Sequence, residues 1–90
     1  MDEAPFDSAC RYELDPKVAL RPEPFGALAY HYGSRRLTFL RSKLLADVVA
    51  GLGDYDSAEA ALTDRVPAGS RPAYERALAN LARSEFIRAC

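Results

Sequence analysis

Few residues in this chain could do covalent chemistry. There is one histidine, His31, and there are two cysteines, Cys10 and Cys90, among 90 residues. A nucleophile needs a base within hydrogen-bond reach, and a metal needs His, Cys or carboxylate groups at ligand spacing. No C-x-x-C, H-E-x-x-H, G-x-S-x-G, phosphate-binding loop or dinucleotide fingerprint occurs. No carboxylate or thiol stands at a telling spacing from His31, which reads as a surface residue on the polar side of a hairpin. The cysteines lie near the ends and read as free thiols, too few for a disulfide framework. The chain is therefore not expected to be an enzyme, and no metal or cofactor is expected.

The chemistry the sequence does offer is anion binding. Arg35, Arg36, Arg41 and Lys43 put four positive charges within nine residues, in a chain whose formal net charge is −1. A hairpin so charged could grip DNA phosphates as a wing does, or attract an acidic peptide. The plainer reading is a solvated strand end and helix start. Arg41 and Lys43 stand at a helix start, where they oppose the macrodipole, so something else must favour them there. The balance of 12 basic against 13 acidic residues argues against a dedicated nucleic-acid binder.

These residues need a scaffold, and 90 residues allow one small domain. The 49% hydrophobic content is that of a globular chain. No apolar run approaches the roughly 18 residues of a membrane span, and no signal segment opens the chain, so a cytoplasmic protein is expected. Residues 1–10 carry Asp2, Glu3 and Asp7 without a base and read as a flexible acidic arm. Residues 11–90 form the single domain.

Lys17 to Arg21 alternate as a short strand, which Pro22 and Pro24 stop or confine to a sheet edge. Ala27 to Tyr32 alternate, and so do Arg35 to Leu40. Gly33-Ser34 between them fits a two-residue type II′ turn with Gly at the positive-φ position. Folding there pairs Tyr32 with Arg35, Tyr30 with Leu37 and Leu28 with Phe39 on an apolar face expected to seek the core. His31 with Arg36, Ala29 with Thr38 and Ala27 with Leu40 form the more polar face. Tyr30, Tyr32 and Tyr74 read as core or rim. In this register the backbone groups of Arg36, Thr38 and Leu40 point out of the sheet. No proline guards this third strand, and an open edge invites strand addition by a peptide or by a second copy.

The period then changes from 2 to 3.6. Ser42 is the expected cap of a helix carrying Leu44, Leu45, Val48, Val49 and Leu52, ended by Gly51 and Gly53. Asp56 with Glu59 resembles a capping box for a second helix, Ser57 to Asp64. After a turn at 67–70, Pro72 opens a third helix with Tyr74, Ala77, Leu78, Leu81 and Ala82 on its apolar face. Phe86 and Ile87 pack the tail onto the core. The order β-β-β-α-α-α predicts an α+β, winged-helix-like domain, with three helices laid on a three-stranded antiparallel sheet.

The run from Arg21 through Phe25-Gly26-Ala27-Leu28 and Tyr30-His31-Tyr32-Gly33-Ser34-Arg35-Arg36 to Leu40 resembles the mycofactocin biosynthesis chaperones. These are precursor-peptide recognition elements, similar to the small chaperone of pyrroloquinoline quinone biosynthesis. The resemblance covers roughly residues 10 to 88, though 57–69 match only in helix pattern. It implies a non-catalytic winged-helix domain that binds a ribosomally made, post-translationally modified precursor peptide (RiPP). It also implies delivery of that peptide to a radical S-adenosylmethionine maturase. The iron–sulfur cluster would belong to the maturase, since this chain has no cysteine triplet.

By that resemblance an acidic leader adds as a strand along Arg36, Leu37, Thr38, Phe39 and Leu40 and lies against Tyr74, Ala77, Leu78 and Leu81. Arg35, Arg36, Arg41 and Lys43 would then steer it. A monomer is expected, with an edge-strand dimer as the alternative. The competing function is a winged-helix DNA-binding regulator, which the mixed charge of the third helix, with Glu75 and Glu85 beside Arg71, Arg76, Arg83 and Arg88, disfavours.

Overall fold

The computed structural model describes residues 6–90. Its elements run β1 (Tyr12–Leu14), β2 (Val18–Glu23), β3 (Gly26–His31), β4 (Arg36–Leu40), α1 (Lys43–Ala50), α2 (Ala58–Arg65), α3 (Arg71–Arg83) and β5 (Ile87–Ala89). Strands β2, β3 and β4 form an antiparallel meander, and three helices follow it. This is the expected α+β, winged-helix-like architecture. A second, two-stranded ribbon pairs β1 with β5, setting Tyr12 opposite Ala89 and Leu14 opposite Ile87. It was not expected. Each strand is three residues long, too short for alternation to show, and the two come from opposite ends of the chain.

The acidic arm expected over 1–10 lies partly outside the described residues. Within them, Phe6 stacks on Tyr12 at 4.8 Å. The Ala58 and Glu59 amides at the start of α2 donate to the Cys10 and Ser8 carbonyls.

The helices begin where local chemistry permits. Ser42 caps α1 by accepting from the Leu45 amide. Ser57, rather than Asp56, caps α2 by accepting from the Ala60 amide. Pro72 sits in the first turn of α3, where a missing N–H is harmless. Helix α3 ends in a Schellman-type turn. Phe86 N–H returns to the Leu81 carbonyl and Glu85 takes φ 68°.

The core sits between the helices and one face of the sheet. Val48, Val49, Leu52, Leu78 and Ile87 are almost fully buried, and so are Ala27, Ala29 and Leu40 of the sheet. This reverses the expected faces. Ala27, Ala29, His31 and Leu40 face the helices, while the larger set of Leu28, Tyr30, Leu37 and Phe39 lies on the outer side. The reason is distance. Alanines let α1 close on β3, and the closeness extends to Gly26. A Cβ there would stand 2.1 Å from the Leu40 carbonyl oxygen, and the residue's φ of +150° suits only glycine.

Candidate functional site

Strand β4 and the loop before it define the site. The Cα pairing matches expectation: His31 faces Arg36, Ala29 faces Thr38 and Ala27 faces Leu40. The turn does not. Tyr32 to Arg35 make a four-residue loop, closed by the Arg35 amide donating to the His31 carbonyl at 2.7 Å. The positive φ, 60°, falls on Arg35 and not on Gly33. Gly33 is there for space, because a Cβ would come within 2.9 Å of the His31 ring.

That ring explains the loop. His31 is 6% exposed, and its Nδ1 accepts the amides of Gly33 and Ser34 at 3.0 and 3.1 Å. The ring also packs edge-on against Phe86 at 5.7 Å. His31 is thus a core residue that organises the hairpin, not the surface residue expected.

The longer loop shifts the hydrogen-bond phase by one residue. His31 uses its carbonyl toward β4, and the Tyr32 amide donates to the carbonyl of Lys17, just before β2. Successive residues of a strand point their backbone groups to opposite sides. So His31, Ala29 and Ala27 bond to Arg36, Thr38 and Leu40, and the groups of Leu37 and Phe39 point out of the sheet. The expectation that Arg36, Thr38 and Leu40 point outward is corrected on this ground.

The opposite edge is largely closed by the same count, with Leu20 as the one residue of β2 that keeps an outward N–H without a partner among the described residues. The outward residues of β2 are Val18, Leu20 and Pro22. Val18 spends its amide on the Asp15 carbonyl, and Pro22 has none. Strand β2 therefore runs through Pro22 to Glu23 without losing a ladder bond, and of the two expectations, a stop or a place at the sheet edge, the edge is the one the structure shows.

Around the open edge the site residues separate by burial. Leu37 and Phe39 are exposed at 57% and 54%, and Thr38 is half-buried. Leu40, Leu78 and Leu81 are buried at 2%, 0% and 7%, so they belong to the core and not to the surface of the edge. Tyr74 and Ala77 are half-buried, and the Tyr74 hydroxyl lies 2.8 Å from the Ser42 Oγ that caps α1. This contact fixes α3 beside the exit of β4.

Arg35, Arg36 and Arg41 are exposed along β4, and among the described residues none is in an ion pair. Lys43 stands apart from them. It lines a groove of about 540 Å³ between β2 and α1, with Leu20, Pro22 and Ala46. The arginines with a raised pKa lie elsewhere: Arg65 through a hydrogen bond to the Tyr55 hydroxyl, and Arg88 through one to Glu13. Among the described residues no cluster of His, Cys, Asp or Glu could hold a metal, and no helix is long and apolar enough to cross a membrane. What the arrangement can do is present two outward backbone rungs, apolar side chains beside them and unpaired positive charge at both ends.

The outer sheet face is what sequence reasoning missed. The signal was available, since Leu28, Tyr30, Tyr32, Leu37 and Phe39 alternate together, but it was assigned to the core.

Comparison with known proteins bears on this edge. A family model described as the peptide chaperone MftB family matches residues 11–88. A peptide chaperone MftB from Mycolicibacterium smegmatis is 39% identical over 87 residues, covering 96% of this chain and 85% of that one. One from Mycobacterium ulcerans is 40% identical over 83 residues, covering 91% and 76%. One from Mycobacterium tuberculosis is 50% identical over 54 residues, covering 60% and 50%. No solved structure gives a significant match.

Proposed function

The chain belongs to the MftB peptide chaperone family, and from that premise we propose how it holds its peptide. The function is that of a peptide chaperone in mycofactocin biosynthesis, not of a catalyst. A precursor peptide's acidic leader adds as a fourth strand along β4, in the cytoplasm. It bonds to the backbone groups of Leu37 and Phe39 and runs past Thr38. Its side chains on the helix side meet Tyr74 and Ala77, with Leu40, Leu78 and Leu81 in the core behind them. Arg35, Arg36 and Arg41 attract it, with Lys43 adding to the field from further off. The chaperone then brings the leader to a radical S-adenosylmethionine maturase, which raises the effective concentration of one at the other.

The observation that carries this reading is the contrast in backbone donors. The β4 edge offers Leu37 and Phe39 unguarded, while Val18 and Pro22 leave the β2 edge only the amide of Leu20. The test is a titration of the chain with its precursor peptide at several salt concentrations. Reversing Arg36 and Arg41 to Glu should slow association about tenfold at low salt and change dissociation less, and added salt should erase the difference. The peptide's mass should stay unchanged without the maturase. An association rate indifferent to both charge and salt would contradict the steering role, and absence of binding would contradict the function.

A further inference from the structure

Once the β4 edge is assigned, a large apolar surface is left over. It is the β3–β4 part of the sheet's outer face, bordered on β2 by the Arg21–Glu23 ion pair. Tyr32, Leu37, Phe39 and Phe25 are exposed at 63%, 57%, 54% and 43%, and Leu28 and Tyr30 lie half-buried between them. The core lies on the other side, where Ala27, Ala29 and Leu40 are buried. The outer rings brace one another edge-on, Phe25 against Phe39 at 5.6 Å and Tyr30 against Tyr32 at 4.9 Å. Braced aromatic rings lose little freedom on docking, and a contiguous apolar patch on a small domain marks an interaction surface.

A strand added to β4 would not cover this face. It would lie about 4.8 Å beyond β4, beside Leu37 and Phe39. Leu28 and Tyr30 are on β3, one strand further in, and Phe25 and Tyr32 are in the loops at the two ends. The added strand would widen the face instead, because every second side chain of that strand points to the same side.

A second copy of the chain does not fit either. Arg35 lies in the loop that carries Tyr32, and Arg41 shares a hollow of about 280 Å³ with Phe25 and Phe39. Two such faces stacked in either direction bring arginine against arginine, and like charges across an interface disfavour it.

The geometry points to this face as the docking surface for the maturase, which would meet it with an apolar patch that reaches onto the leader strand beside β4. The inference rests on reading β4 as the leader-binding edge, and it adds an order of assembly. With the leader in place the sheet is four strands wide, and its outer face includes leader side chains. The loaded chaperone therefore binds the maturase more tightly than the empty one, and linkage requires the maturase to tighten leader binding by the same factor.

The experiment measures the affinity of the full chain for its precursor peptide and for the pathway's radical S-adenosylmethionine enzyme. It compares the native chain with Phe25→Ser/Tyr32→Ser and with Tyr32→Ser alone. Neither residue belongs to β4, and Tyr32 is the most exposed of the set, so thermal melts should change little. Peptide affinity should stay within about twofold, while enzyme affinity falls about tenfold or more in the double variant. In the native chain, saturating peptide should raise enzyme affinity about threefold or more. Equal enzyme affinity for native and variants would overturn the inference, as would a native dimer that the variants abolish. If the native chain fails to bind the peptide, the reading of the edge fails instead, and the variants' enzyme affinity still decides the face.

Discussion

Strands β2 and β4 flank the same central strand, yet one edge is closed at all but Leu20 and the other is open. Both are edge strands of five or six residues, paired antiparallel to β3. On β2, the outward amide of Val18 is spent within the chain and Pro22 has none to offer. On β4, Leu37 and Phe39 face outward with no proline and no internal partner among the described residues. The difference teaches that a proline blunts an edge only where its nitrogen points outward. Had Pro22 stood one residue earlier or later, it would have removed a ladder bond and left the edge as open as before.

The largest expected effect comes from breaking the frame both edges share. Gly26 begins β3 and touches the end of β4 through the Leu40 carbonyl. Gly26→Ala should cost about 3 kcal/mol or more in urea unfolding, since strain and overlap act together. A loss near the cost of an ordinary surface change would mean that the close approach relaxes easily.

The next effect gives β4 the device that β2 already has. Phe39→Pro removes an outward donor and an exposed ring, and should weaken leader binding by about 1.5–3 kcal/mol in a titration. Leu20→Pro makes the same change on β2. It should leave leader affinity unaltered, although its own lost packing lowers the melting temperature. Equal losses from the two would abolish the contrast between the edges.

Two smaller changes sharpen it. Arg35 holds φ 60° in the loop that sets the hydrogen-bond phase, so Arg35→Gly should stabilise the fold by about 1 kcal/mol in thermal melts while lowering the leader's association rate. Pro22→Thr gives β2 back an outward N–H. It should alter stability by no more than about 0.5 kcal/mol, and its signature is concentration-dependent self-association in sedimentation.

The sequence made the architecture legible because alternation, the shift to period 3.6 at Ser42 and the Pro72 helix start all agreed. Pairing within the β3–β4 hairpin was legible too. Its phase was not, because loops of two and of four residues give the same Cα partners and opposite backbone directions. Only the buried His31 ring, seen in place, selects the longer loop. The faces were misread because the larger apolar set was given to the core, whereas α1 packs so close to β3 that only Ala27 and Ala29 fit beneath it. The exposed Leu37 and Phe39 follow from the same fact. The ribbon of β1 with β5 had no local signal, since its pairing spans nearly the whole chain.

The central claim is that a leader strand bonds to the outward amides of β4, and replacing single amides by esters tests it most directly. An ester at Phe39 removes one outward donor and leaves every side chain in place. Leader affinity should fall by about 0.5–1.5 kcal/mol with little change in melting temperature. An ester at Thr38 removes a donor that faces Ala29, so it should lower stability by a similar amount and leave leader affinity largely intact. Unchanged leader affinity for the Phe39 ester, or a loss confined to the Thr38 ester, would contradict the account.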